Sequence, residues 1–241
     1  MSFRTILAVS SALFVASNTG TARAETAEGA FGTSCLRGNV CDANISDIRH
    51  QGRTLQTELA VPLVNGRSVF ISQIGDANVA NVLQTGAHAR VKVNQTGNRN
   101  EADITQRGSG TGYVASQQTG EGNFTRLQQD GNGQNVVDVT QDGNSNSAQS
   151  NQSSTSAVHN GARMTQIGNN NDMLLAQSGS DNLALLSQEG ADNDMTAVQI
   201  GVGNRLVWTQ QGVNLTDLKI TQEGGAATGG QLQITQTGSG R

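Results

Sequence analysis

From residue 67 onward apolar and polar side chains alternate in short runs. In residues 89–95, Ala89, Val91, Val93 and Gln95 fall on one side while Arg90, Lys92 and Asn94 fall on the other. Residues 100–106 repeat the arrangement, with Ala102 and Ile104 on the inner side and Glu101, Asp103 and Thr105 outward. The same parity puts Leu218 and Ile220, then Leu232 and Ile234, inward near the end of the chain. A period of two is the signature of a half-buried strand. Each run is about seven residues long and is followed by a glycine-containing segment that reads as a tight turn.

The runs are copies of one unit. Gln recurs at Gln73, Gln84, Gln95, Gln106, Gln118, Gln129, Gln141, Gln152, Gln166, Gln177, Gln188, Gln199, Gln210, Gln222 and Gln236, at spacings of 11, 12 or 14 residues. Gly follows two places later in fourteen of these fifteen cases, Gln152 being the exception. Asn stands six places earlier in ten units, as Asn78, Asn100, Asn123, Asn135, Asn146, Asn160, Asn171, Asn182, Asn193 and Asn204. The unit is therefore Asn-x5-Gln-x-Gly plus turn residues. Strand parity places its Asn and Gln on the same face as the aliphatic residues.

A buried amide without a partner costs about 1–3 kcal/mol. Stacking removes that cost: if strand n lies over strand n+2, like amides sit ~4.8 Å apart and form continuous ladders. Eleven residues then make half a rung, and two units make one coil with two facing sheets. The predicted fold is an all-β, two-sheet, amyloid-forming β-solenoid of about fifteen short strands. The even-numbered strands open with Asn78, Asn100, Asn123, Asn146, Asn171, Asn193 and Thr216; the odd ones with Arg67, Ala89, Gly112, Asn135, Asn160, Asn182, Asn204 and Gly230.

This register brings Asp103 beside Arg126 and Asp138 beside Arg163 on outward faces, pairs worth about 0.2–1 kcal/mol each. It also aligns Asp172, Asp194 and Asp217 in one outward row, which reads either as a solvated face, as a cation site, or as a brake on premature stacking. Trp208 falls inward where other units carry smaller residues, predicting local widening or slippage of strand 204–210.

The first 66 residues differ. Arg4, the apolar run Ile6–Ala16 and Ala22-Arg23-Ala24 read as a signal peptide cleaved after Ala24, the run being too short to span a bilayer. Residues 25–66 form a leader or cap without a period, holding the sole proline, Pro62, and both cysteines. Outside the cytoplasm, Cys35 and Cys41 are a possible disulfide. Residues 67–241 are the repeat.

Composition narrows the function classes. The chain has 241 residues, 24 Gln, 23 Asn and 30 Gly, with 3% aromatics and a formal net charge of −4. Too few aromatics remain for a large conventional core, and the charge argues against nucleic-acid binding. No catalytic constellation, metal site or cofactor motif is found. Of the histidines His50, His88 and His159, the last two fall in predicted turns, and outward carboxylates outside the Asp row are scattered rather than gathered in a glycosidase-like cleft. A calcium-binding nonapeptide solenoid has the wrong period, and an ice-binding solenoid would need a uniform outward threonine array.

The Asn-x5-Gln spacing, with Gln73-Ile74-Gly75-Asp76-Ala77-Asn78 and the run to Gln84, resembles the curlin repeat of the curli subunits that bacteria assemble into extracellular amyloid fibres. The resemblance implies a secreted, non-enzymatic fibre subunit of the biofilm matrix, serving adhesion. It implies self-association by end addition, a nucleator subunit and an outer-membrane secretion channel as partners. The alternatives are a soluble monomeric β-solenoid adhesin and the nucleating minor subunit itself. Only Thr237–Arg241 follow Gln236, so the C-terminal edge reads as uncapped, which favours polymerisation.

Overall fold

The computed structural model describes residues 66–239 apart from 87, 156–158 and 225–229. The signal-peptide reading, the leader and the Cys35–Cys41 pairing lie outside the described residues. Fifteen strands follow one another: β1 (Arg67–Ile74), β2 (Val79–Gln84), β3 (His88–Asn98), β4 (Glu101–Gln106), β5 (Thr111–Glu121), β6 (Phe124–Gly131), β7 (Asn135–Asn144) and β8 (Ser147–Ser154). Then come β9 (Asn160–Asn169), β10 (Asp172–Ser180), β11 (Leu183–Ala191), β12 (Asp194–Val202), β13 (Arg205–Val213), β14 (Ile220–Gly224) and β15 (Gln231–Ser239). Odd strands form one eight-stranded sheet and even strands one seven-stranded sheet, every described pairing parallel and between strand n and strand n+2. The molecule is a two-sheet β-solenoid, and like residues of successive units lie directly over one another: Gln73↔Gln95, Gln95↔Gln118, Gln118↔Gln141.

Inward side chains close a thin core between the sheets. Val91, Val93, Val114, Val137, Val139, Met164 and Leu186 from the odd sheet meet Ile104, Leu127, Met173, Leu175 and Met195 from the even one in a single cluster. Apart from Trp208, aliphatic and sulfur side chains fill the space between the sheets.

The turns differ from expectation. In most units the Gln-x-Gly segment is not the turn: in β3 the strand continues through Gln95, Thr96, Gly97 and Asn98, and Gly97 pairs with Gly120 of β5, whereas β1, β2 and β4 end before Gly75, Gly86 and Gly108. The chain bends at the residue before the Asn, where Arg99, Ser145, Asn170, Asp181 and Asp192 hold left-handed φ values of 54–56°. The extra residues at spacings of 12 and 14 fall almost entirely on one edge. Corners from odd to even strands keep an 11-residue Gln spacing, except between Gln210 and Gln222, while corners from even to odd strands absorb the longer ones, such as Gln152 to Gln166.

That one long odd-to-even corner explains another difference. Leu218, expected inward, is 49% exposed, and residues 215–219 lie outside β14. Thr216 occupies the Asn position, Lys219 takes φ 46°, and Asp217 turns its carboxylate onto the backbone, Oδ1 accepting from Thr196 N at 3.0 Å and Lys219 N at 2.9 Å. The row of three aspartates is therefore a pair in strand register, Asp172↔Asp194, with Asp217 beyond the strand. Trp208 neither slips nor widens its strand: it pairs with Leu186 and Ile234 in register, is fully buried, and its Nε1 donates to Gln236 Oε1 at 3.1 Å. His88 opens β3 and does not lie in a turn; its Nδ1 accepts from Gly66 N.

Candidate self-assembly site

The repeated amides form the site, and strand pairing builds it. In the odd sheet Gln73, Gln95, Gln118, Gln141, Gln166, Gln188, Gln210 and Gln236 make one unbroken chain, each Nε2 donating to the next Oε1 at 2.6–2.9 Å. In the even sheet Gln84, Gln106, Gln129, Gln152, Gln177, Gln199 and Gln222 do the same at 2.6–3.0 Å. Every Gln of the notional ladder is in it. Gln152 keeps its place although Ser154 stands where the other units have Gly.

Most of the glutamines have a second task that strand parity alone does not reveal. The other N–H crosses to the facing sheet and reaches a main-chain carbonyl there: Gln95 to Val79 O, Gln141 to Phe124 O, Gln188 to Asp172 O, and from the even side Gln129 to Tyr113 O, Gln152 to Val136 O and Gln199 to Leu183 O, all at 2.9–3.0 Å. The glutamines thus bind rung to rung and sheet to sheet at once. Thr125, inward and buried, joins this network by donating to Gln141 Oε1 at 2.8 Å.

The asparagines run the other way. Nδ2 of Asn100 donates to Oδ1 of Asn78, Asn123 to Asn100, Asn146 to Asn123, Asn171 to Asn146 and Asn193 to Asn171, at 3.0–3.1 Å. On the opposite edge Asn160, Asn182 and Asn204 continue from Asn135 in the same sense. In the like-to-like bonds, glutamine donates toward the C-terminal rungs and asparagine toward the N-terminal ones. Most of the asparagines also fasten their corner, Oδ1 accepting the main-chain N–H of the next Asn and Nδ2 donating to a glycine carbonyl of the following rung, as Asn100 does to Gly120 O at 2.9 Å; Asn135, Asn193 and Asn204 depart from this pattern.

The glycine at this corner is required by the stack. A Cβ on Gly97 would lie 2.0 Å from Gly120 O, and one on Gly120 would lie 2.0 Å from Gly143 O. With φ of 111–113°, these residues combine a conformation that Cβ-bearing residues resist with a carbonyl of the next rung packed where the side chain would be.

Outward charges add rung-to-rung ion pairs. Asp103–Arg126 and Asp138–Arg163 form as expected, at 3.4 and 3.3 Å. Arg99–Glu121 and Asp181–Arg205 join them at the corners, where irregular turn sequences hide the pairing. Burial raises the Asp138 carboxyl above its ordinary value despite the opposing effect of Arg163 and Lys92. Asp194 is raised by burial first, then by the nearby carboxylates of Asp172 and Asp217. Among the described residues no group of acids, histidines or cysteines is arranged to hold a metal ion.

At the ends the ladders stop on edge strands. Among the described residues no donor reaches Gln73 Oε1 or Gln84 Oε1, and at the far end Gln236 Nε2 falls back on Thr216 O and Gln222 Nε2 on Arg205 O and Gly230 O. Two stretches, residues 68–97 and 168–201, match the family model of the curlin associated repeat. Both stretches are similar to curlin repeats. The first holds Gln73, Gln84 and Gln95, the second Gln177, Gln188 and Gln199, and the amide ladders run without interruption across the rungs between them. The curlin repeat family is a structural one. No curated protein and no solved structure matches the chain.

Proposed function

We propose that the chain is a structural subunit of a curli-like extracellular amyloid fibre, growing by end-to-end stacking of solenoid rungs. The observation that carries this reading is the complementarity of the two ends. Among the described residues, glutamine acceptors stand open at Gln73 and Gln84, glutamine donors face the other way at Gln222 and Gln236, and no further strand pairs with the outer edges of β1, β2, β14 and β15. A second copy placed on β14 and β15 continues each sheet and each glutamine ladder in the sense it already has. In this reading the protein is exported, is not an enzyme, takes no cofactor, and serves biofilm matrix and adhesion. Its partners are further copies of itself, a nucleating subunit and an outer-membrane channel.

One observation favours the monomeric adhesin instead. The last even strand is short, and the even asparagine ladder ends on Leu215 N rather than on another Asn, an irregularity of the kind that caps a solenoid. Incubating residues 25–241 and recording thioflavin fluorescence with fibre diffraction separates the two readings. Reflections at ~4.7 Å along the fibre and ~10 Å across it are expected of stacked rungs. Protein that stays monomeric at high concentration for days supports the adhesin.

A further inference from the structure

The two sheets obey one bonding rule. A ladder glutamine donates to its counterpart two strands on and to the main chain of the strand just before it, whichever sheet it occupies. Gln84 of the even sheet reaches Gln106 Oε1 and Ser68 O, and Gln95 of the odd sheet reaches Gln118 Oε1 and Val79 O. The corner bond is shared as well, Asn100 of the even sheet donating to Gly120 O one strand ahead and Asn182 of the odd sheet to Gly201 O. Passing from any strand to the next is therefore one operation: half a turn about the solenoid axis with an advance of half a strand spacing, ~2.4 Å. The described residues carry that operation through an odd number of strands, eight in one sheet and seven in the other. They end half a rung out of step, with β15 one half-spacing beyond β14 and the next place to be filled lying in the even sheet, on β14.

On the fibre reading above, we propose that successive copies are related by a half-turn about the fibre axis, so that β1 of the next copy pairs with β14 and its β2 with β15. The odd sheet of each copy then runs on as the even sheet of its neighbour. Gln222 donates to Gln73 of the next copy and Gln236 to its Gln84, and both ladders continue. Inward positions match, Ile220 meeting Ile71 of the next copy while Leu232 and Ile234 meet its Ala80 and Val82. Copies stacked without the half-turn fail on geometry. With β1 of the next copy on β15, its β2 stands two strand spacings from β14, ~9.6 Å, too far for Gln222 to reach Gln84 and with main-chain groups of both strands facing an empty slot. With β2 on β14 instead, β1 falls in the place that β15 already holds. The long corners mark the arrangement: they lie on one edge of a copy, apart from that between Gln210 and Gln222, and the half-turn moves them to the opposite edge in the next. Each copy advances the fibre by fifteen half-spacings, ~36 Å, and the repeat is two copies, ~72 Å.

Ser72, Thr221 and Thr235 hold one outward position, just before the ladder glutamines of β1, β14 and β15. Residues 25–241 with Cys35→Ser and Cys41→Ser are assembled into fibres in two forms, one adding Ser72→Cys with Thr221→Cys, the other Ser72→Cys with Thr235→Cys. Paired strands bring Cα atoms to ~4.8 Å, within reach of a disulfide. Position 72 lies several rungs from 221 and 235 within one chain, so bridges form only between copies. Oxidised fibres of the Thr221 form should give covalent multimers at least tenfold more abundant than those of the Thr235 form. The reverse preference would mean that copies stack in phase with a further strand completing the even sheet, and would overturn the half-turn, as would fibres in which neither form bridges. Growth with the ~4.7 Å reflection leaves the fibre reading standing in both cases. Protein that stays monomeric removes that reading and the half-turn with it. Helical reconstruction of the unsubstituted fibre is independent of the cysteines: long corners on alternate edges at ~36 Å intervals are expected, and long corners all on one edge would overturn the half-turn.

Discussion

Replacing Gln188 by Leu tests the ladder at its most connected point. Gln188 is fully buried; its Oε1 accepts from Gln166 Nε2 at 2.9 Å, and its Nε2 donates to Gln210 Oε1, Asp172 O and Asn193 O at 2.9–3.0 Å. Gln166 survives the change well, because its N–H groups keep Ser147 O and Asn171 O. Asn193 O likewise keeps the N–H of Asp172 at 2.8 Å. The loss falls on Gln210 Oε1 and Asp172 O, each deprived of the glutamine donor in a dry interior at about 1–3 kcal/mol. The leucine recovers ~1–2 kcal/mol of apolar burial. The net effect centres on about 2–3 kcal/mol against the folded stack, which raises the equilibrium soluble concentration over fibres roughly 30- to 150-fold. Gln149→Leu is the control, since Gln149 is outward between Arg126 and Leu174 and should change stability by no more than ~0.5 kcal/mol. Sedimentation of fibres followed by assay of the supernatant measures both, and guanidinium midpoints give an independent reading. Equal soluble concentrations for the two variants would refute the ladder argument.

Two glycines a rung corner apart should respond in opposite ways. Gly97→Ala drives a Cβ to 2.0 Å from Gly120 O at φ 111° and is expected to abolish ordered stacking, seen as lost diffraction, whereas Gly122→Asn, at φ 66° with nothing nearer than Ser145 Oγ at 3.8 Å, should be tolerated within ~1 kcal/mol by guanidinium titration. Ser116→Val should stabilise by about 1 kcal/mol on the same titration, because the buried Ser116 Oγ has no partner and both strand neighbours, Val93 and Val139, already carry valine. The raised Asp194 carboxyl holds its proton at higher pH in the folded state than in the unfolded one. Stability should therefore increase as pH falls through the folded value toward the ordinary ~3.9 and decline as pH rises again, and Asp194→Asn should flatten that slope in guanidinium titrations between pH 7 and 4.

The register was readable before any coordinates because its markers are chemically irreplaceable. A primary amide carries an acceptor and two donors, enough for the ladder and a main-chain carbonyl at once, so Gln and Asn recur, and only glycine tolerates the carbonyl packed against Gly97. The bend itself left no comparable mark. Left-handed φ falls on Ala77, Arg99, Ser145, Asp181 and Asp192, a set with no shared side chain, because at that corner the asparagine beside it supplies the fastening. The cross-sheet bonds of glutamine were hidden for a related reason: their acceptors are main-chain carbonyls, which every residue type provides. Trp208 fits without widening its strand because its cluster also includes the small Ala184 and Ala197, which its own column does not reveal. Leu218 followed strand parity into a segment where one additional residue between Gln210 and Gln222 had already broken the parity.

The opposed sense of the two kinds of amide ladder has an electrostatic consequence for length. A column of amides all aligned one way is a row of dipoles whose fields add, as peptide units do along a helix, leaving partial charges at the two ends. Here the Gln columns from Gln73 to Gln236 and from Gln84 to Gln222 carry their dipoles toward one pole, and the Asn columns through Asn100–Asn193 and Asn160–Asn204 carry theirs toward the other. The main chain of a sheet contributes little net dipole of its own. The axial field is thus partly offset, ten asparagines standing against fifteen glutamines, most fully in the rungs where both strands open with Asn, such as Asn160 and Asn171. A stack built this way has two chemically different ends, and it accumulates less opposing polarity at its tips as rungs are added than glutamine columns alone would give.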